Sequence, residues 1–296
     1  SDAVKLLAEH LNSQTEVTST AQALNKKPAL KGLKALQKGK VNKKHKQGLP
    51  QSQIDSVITL YSKGHIQEAL NASVTLTLKY PNNPFLYNIS GVCYHAIGQL
   101  NAAVISYEKA LFLKSDYAEA YFNLGITFKE LGNLKASTSN YKRALQIEPN
   151  YFEANINLAN IYSELGQQKL AIKSLLKALA IKPDHAEVHY NLGNAFKELC
   201  QSDVAISNYE KALSINPCHL GAHNNLGIIF HELGELDTAV KFYKKALSLK
   251  ADFTEVYFNL GNTLYELGKL NAAVDCYNQA LKIEPNYPEA YNNLGN

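Results

Sequence analysis

Between residues 84 and 287, apolar and polar positions follow one another in short blocks with helical spacing, and the order of the blocks repeats every 34 residues. In 118–151, Tyr121, Leu124, Gly125 and Phe128 fall at i, i+3, i+4 and i+7, which places one apolar stripe on a first helix. In the following unit Ala171, Ile172, Leu175, Ala178 and Leu179 share one face of a second helix. Pro183 stops that helix, because proline has no amide donor and its ring meets the preceding turn. The pattern therefore predicts a pair of amphipathic helices in each unit.

The repeat never slips register. One column reads Gly91, Gly125, Ala159, Gly193, Gly227, Gly261 and Gly295, and seven residues later stand Gly98, Gly132, Gly166, Cys200, Gly234 and Gly268. Ala103, Ser137, Ala171, Ala205, Ala239 and Ala273 form a third column of small residues, and all three are expected where two helices cross closely. Larger residues recur as Tyr107, Tyr141, Leu175, Tyr209, Tyr243 and Tyr277. Units start at 84, 118, 152, 186, 220 and 254; a degenerate one at 50–83 keeps Gly64, Ala69 and Pro81, and 288–296 begins another. A lone helix pair leaves its apolar face in water, whereas stacked pairs bury it and generate an extended concave surface. Residues 1–49 are expected to form a short helix around Val4, Leu7 and Leu11, followed by a basic flexible linker. The chain has no methionine and stops within a repeat motif, so both ends read as cut.

Charge changes the picture in one respect. Residues 1–49 hold ten lysines against Asp2, Glu9 and Glu16, a net of +7, which leaves −3 of the chain's +4 for residues 50–296. The repeats are thus mildly acidic, and Arg143 is the one arginine in the chain, so nucleic-acid binding through the repeats is not expected. Leu30, Leu33 and Leu36 add apolar content to the lysine-rich stretch, but Pro28, Gly32 and Gly39 weaken any helix there, and a solubilising linker is favoured over a docking element. No apolar run approaches 18 residues, so no membrane-spanning helix is predicted. Cys93, Cys200, Cys218 and Cys276 lack metal-ligand or disulfide spacing and read as buried free thiols, Cys200 among them, in a cytoplasmic protein.

The columns match the tetratricopeptide repeat signature, and the chain from about 50 onward is identified as a member of that family. Its Asn-Leu-Gly units resemble the superhelical arm of O-linked N-acetylglucosamine transferases and bacterial proteins in which such arrays precede a transferase domain. The resemblance implies an all-α fold, a right-handed superhelix of helix-turn-helix repeats, with first helices lining a concave groove. It also implies that asparagines before Leu-Gly form a ladder for an extended peptide backbone: Asn123, Asn157, Asn191, Asn225, Asn259 and Asn293. A partial column three residues later holds Asn160, Asn194, Asn262 and Asn296, interrupted by Ile126 and Ile228. The chemistry fits, since a carboxamide carries both an acceptor and donors, as a peptide unit does. The competing reading is that these asparagines join neighbouring repeats, although Asn is a poor helix former and its recurrence asks for a role.

The expected function is a protein-interaction scaffold for extended protein or peptide segments, with no active site in this chain. The alternative is the substrate-recognition arm of a larger enzyme, a glycosyl- or sulfotransferase for example, whose catalytic domain lies beyond Asn296. Head-to-tail self-association is a further expectation, since only 288–296 follow the last full repeat. The column before the ladder, Phe122, Ile156, Tyr190, Asn224, Phe258 and Asn292, lacks the lysines of the family's carboxylate clamp, so chaperone C-termini are not expected partners. His185/His189 and His219/His223 have metal-ligand spacing, but His189 and His223 share a column with Tyr121, Tyr257 and Tyr291 and read as packing rings. Glu130, Glu164, Glu198, Glu232 and Glu266 read as solvated helix ends. No cofactor or metal is expected.

Overall fold

A computed structural model describes residues 49–295, and among them the chain forms fifteen α-helices and no strand. They come in pairs: α1 (Gln51–Ser62) with α2 (Ile66–Lys79), α3 (Pro84–Ala96) with α4 (Leu100–Leu113), and α5 (Ala118–Glu130) with α6 (Leu134–Ile147). Next come α7 (Phe152–Glu164) with α8 (Gln168–Ile181), α9 (Ala186–Glu198) with α10 (Ser202–Ile215), and α11 (Leu220–Glu232) with α12 (Leu236–Leu249). The series closes with α13 (Thr254–Glu266), α14 (Leu270–Ile283) and the short α15 (Pro288–Gly295). The expectations for Val4, Leu7, Leu11, the lysine-rich 26–46 stretch and Asn296 lie outside the described residues.

The chain divides into two compact units, Ser1–Ala154 and Asn155–Asn296. In the first, Val92, Ala103, Tyr107 and Leu124 form one core cluster. In the second, Ala205, Tyr209, Ala212, Ala222, Leu226 and Ile229 form another, with Tyr190, Phe196 and Phe242 packed against it. Each cluster draws on both helices of one pair and the first helix of the next, which is why a pair needs a neighbour.

The two glycine columns serve different purposes, which corrects the common explanation given to them above. At Gly125 a Cβ would stand 2.6 Å from the Tyr141 ring, and Gly91, Gly193, Gly227 and Gly261 meet Tyr107, Tyr209, Tyr243 and Tyr277 in the same way. These glycines mark a close approach. Each ring is almost fully covered, and removing roughly 150–250 Å² of aromatic surface from water at ~25 cal/mol per Å² amounts to an upper bound of about 4–6 kcal/mol.

The second column marks a turn. Gly132 has φ +74°, and a Cβ there would meet nothing within 4 Å. Its N–H donates to Lys129 O (2.9 Å) while Asn133 N–H donates to Phe128 O (2.8 Å), satisfying the carbonyls left over at the end of α5. A left-handed residue is required, and glycine adopts that conformation without a Cβ penalty.

Cys200 occupies this position with φ +55°, and it is exposed, not buried as expected. The reason is the open space that a Cβ would meet at every glycine of the column: a side chain at this position points away from the crossing. Cys218 is also exposed and Cys276 partly covered, so only Cys93 is a buried thiol, its pKa pushed up to about 12 by burial.

Candidate functional site

Asparagine is costly within a helix because its side chain competes for backbone hydrogen bonds, so the partners of the ladder side chains indicate what offsets that cost. In the first unit the Asn123 Nδ2 donates to Asn88 Oδ1 (3.2 Å), and Asn88 Nδ2 donates to the Tyr117 hydroxyl (3.3 Å). Asn123 is 3 % exposed and Asn88 2 %. Asn88 also hydrogen-bonds Glu119, whose carboxyl is nevertheless raised to about 7, chiefly by burial and further by Glu148.

In the second unit the same column behaves differently. Asn225 is half-buried; its Nδ2 donates to Asn194 Oδ1 (2.8 Å) and to the Tyr209 hydroxyl (3.2 Å). The Tyr209 hydroxyl in turn donates to Asn194 Oδ1 (2.8 Å), closing a triangle. The arrangement recurs 68 residues on: Asn293 Nδ2 donates to Asn262 Oδ1 (2.7 Å), and so does the Tyr277 hydroxyl (2.9 Å). The two asparagine columns are therefore coupled, a residue of the first column reaching back to one of the second in the preceding repeat.

Asn191, Asn259 and Asn160 are half-buried and Asn157 is buried. Asn259 follows Ile228 where the triangles have an asparagine, and Asn191 follows Leu175 where they have a tyrosine, so neither repeat carries the full set.

The tyrosines and Asn88 were not singled out from the sequence. Tyr209 and Tyr277 belong to a column whose rings are core, which hides the function of the hydroxyl. Asn88 stands one residue ahead of the ladder column, where other repeats place Phe122, Ile156, Tyr190, Asn224, Phe258 and Asn292.

Tyr190 is stacked on His219 at 4.5 Å between ring centres. Its phenol is raised by burial, against hydrogen bonding from Asn194 and Asn225. A Cβ at Gly221 would lie 2.8 Å from the Tyr190 hydroxyl, which accounts for a glycine where Glu119, Glu153, Glu187, Glu255 and Glu289 stand in other repeats. Phe122 with Tyr151 (4.7 Å) and Phe258 with Tyr287 (5.2 Å) repeat this pairing of a first-helix ring with the ring that closes its unit.

The histidines are engaged in packing and capping. The His219 Nδ1 accepts from Ala222 N–H (3.2 Å) at the start of α11, while its Nε2 meets Glu187 Oε2 (3.2 Å). His189 and His223 aim Nε2 at the carbonyls of Pro183 (3.1 Å) and Pro217 (3.0 Å). Among the described residues no group of three or more His, Cys, Asp or Glu is placed to hold a metal ion. No described helix is long and apolar enough to cross a membrane. Two members of the glutamate column are more than solvated helix ends: Glu130 pairs with His95 (3.3 Å) and Glu266 with His231 (3.3 Å), each histidine coming from the preceding repeat.

Family models described as "TPR repeat" match residues 91–132, 127–166, 159–199, 229–268 and 261–296, and models described as "Tetratricopeptide repeat" match 186–217 and 208–241. No curated protein matches the chain. Among solved structures it is similar to MamA, with 28% identity and a TM-score of 0.52 over 55% of this chain and 95% of that one. It is also similar to YrrB, described as a TPR protein with an unusual peptide-binding site, at 20% identity and a TM-score of 0.55 over 64% and 98% of the two chains. The C-terminal part of a TPR repeat-containing protein from Cytophaga hutchinsonii shares 18% identity, with a TM-score of 0.67 over 81% and 98%. The last two likenesses concern the fold alone.

Proposed function

The chain belongs to the tetratricopeptide repeat family, and from that premise we propose that it is a protein-interaction scaffold holding extended protein or peptide segments along the asparagine-bearing first helices. The observation that supports this reading is the half-buried setting of Asn191, Asn225 and Asn259, with Asn194 and Asn262 beside them. A carboxamide in that position keeps polar atoms for a ligand while its stem is held by the helix. YrrB, described as having a peptide-binding site, illustrates what a fold of this kind can carry. Asn123 is left out of the proposed surface because it is spent inside the first unit. If the chain serves as the recognition arm of a larger transferase, the same surface would receive the acceptor protein.

The test is the joint replacement of Asn191, Asn225 and Asn259 by Ala. Each lost hydrogen bond to a ligand contributes on the order of 0.5–1.5 kcal/mol, and Ala is the better helix former. Affinity for a blocked Ala-Ser-Gly repeat peptide is expected to fall, with the melting temperature lowered only by the small cost of the Asn225 ties to Asn194 and Tyr209. A lower melting temperature with unchanged affinity would make these side chains ties between repeats.

A further inference from the structure

We propose that the chain's own N-terminal segment around Val4, Leu7 and Leu11 docks as a helix on the exposed face of α4, covering Ile105 and Phe112 and reaching Leu78 near the end of α2. The inference stands apart from the reading of the asparagines, because this face belongs to second helices and the ladder to first helices.

Leu78 and Phe112 are each 81% exposed and Ile105 68%, more than any other large apolar side chain among the described residues. They are not a habit of the repeat. Leu78 and Phe112 stand in one column that continues as Gln146, Ala180, Ser214, Ser248 and Lys282, and the column of Ile105 continues as Ser139, Lys173, Ser207, Lys241 and Asp275. Large apolar residues therefore come to this face only in the first two helix pairs, and apolar surface concentrated in one place marks an interaction site.

Entry point, spacing and charge name the occupant. Residues 1–48 precede Leu49, and α1 and α2 run antiparallel through the short turn at 63–65, so the chain enters at Gln51 at the end of the pair that holds Leu78. Ile105 and Phe112 are seven residues apart on α4, about 10 Å along its axis. Val4 and Leu11 have the same separation, with Leu7 between them on one helical face. Residues 1–16 carry Asp2, Glu9 and Glu16 against Lys5, a net of −2, whereas Leu30, Leu33 and Leu36 sit among lysines. Near Leu78 and Phe112 in the chain stand Lys79, Lys109 and Lys114 against Glu108 and Asp116, a net of +1, and the Lys109 ammonium lies 5.1 Å from the centre of the Phe112 ring. That charge attracts the first stretch and repels the second. Residues 12–48 can span on the order of 100 Å, and an attached segment meets the face at a higher effective concentration than a free partner does.

The experiment is amide hydrogen exchange on the full chain, read against a synthetic peptide of residues 1–16. Amides of residues 5–11 are expected to exchange about tenfold more slowly in the chain than in the peptide, and to keep that ratio when the protein is diluted. Ile105→Ser with Phe112→Gln gives α4 the residues of the next repeat at two exposed positions. It should bring those amides to within about twofold of the peptide and leave the melting temperature of the repeats unchanged, whereas Leu176→Glu, at an exposed leucine of α8, alters neither. Leu7→Ser with Leu11→Ser leaves the repeats untouched and should shift the Phe112 ring resonances; resonances that stay in place overturn the proposal, even where the α4 variant folds poorly. Amides as fast in the wild type as in the peptide overturn it, as does slow exchange that survives the α4 variant. Protection that disappears on dilution assigns the face to a second copy, and protection found over Leu30–Leu36 in place of 5–11 assigns it to the lysine-rich stretch; either result overturns the docking of the Val4 segment.

Discussion

Asn123 in the first unit and Asn225 in the second stand at the same position of their repeats, one residue before Leu-Gly, and both donate to another asparagine of the preceding repeat. Their settings differ because the acceptors differ in register. Asn88 lies 35 residues before Asn123, on the helix face that elsewhere carries Phe122 or Phe258, and it draws the pair into the core beside Tyr117 and Glu119. Asn194 lies 31 residues before Asn225, one helical turn further along, where the pair stays half-buried. A recurring residue type thus has no single role: a shift of one turn in its partner separates a buried tie from a polar surface.

The largest effect expected from this contrast is on stability. Asn123→Ala leaves Asn88 Oδ1 without its buried donor and should destabilise by about 1–3 kcal/mol, read from urea unfolding. Asn225→Ala, where Asn225 and its closer partner Asn194 are both half-buried, should cost less than half of that. Equal costs would erase the distinction between the two settings.

Next in size is a dependence on pH specific to the first unit. Glu119 holds its proton more tightly in the folded state, at about 7, than at the ordinary 4.5, so the folded chain binds more protons between those values. Stability is therefore highest below about 4.5 and declines as pH rises through about 7, by on the order of 1–2 kcal/mol after allowance for partial exposure. Glu119→Gln should flatten this decline in thermal unfolding measured across the range; a slope as steep as that of the wild type would assign it to another group.

A smaller effect is expected at the turns. Cys200 holds a left-handed conformation that its six glycine counterparts adopt freely. Cys200→Gly should stabilise the second unit by ~0.5–1 kcal/mol, the relief of a Cβ clash less the entropy glycine regains when unfolded. Labelling of the native wild type with a thiol reagent should be fast at Cys200 and slow at Cys93; the reverse order would contradict the exposures described here.

Much of the architecture is legible in the chain. The 34-residue period, the helix faces and the stop at Pro183 can be read along the chain, whereas the second glycine column shows in the sequence without the left-handed φ that sets it apart from the crossing column. Paired exceptions are legible too: Ala159 and Leu175 break the glycine and tyrosine columns in the same repeat, and the contact of each such glycine with the ring 16 residues later supplies the reason, a Cβ gained where a ring is given up. Gly221 beneath the Tyr190 hydroxyl is a second instance.

The fate of each side chain was not legible in this way. The sequence by itself determined that asparagines recur on one face of the first helices, because a period of 34 and a helical pitch fix the face. Which of them turn inward, that Cys200 faces solvent, and that the hydroxyls of Tyr209 and Tyr277 reach Asn194 and Asn262 were decided by the tertiary structure. The partners lie 15 to 35 residues away across helix contacts of a few ångströms, and a hydrogen bond is gained or lost over less than the rise of one helical turn.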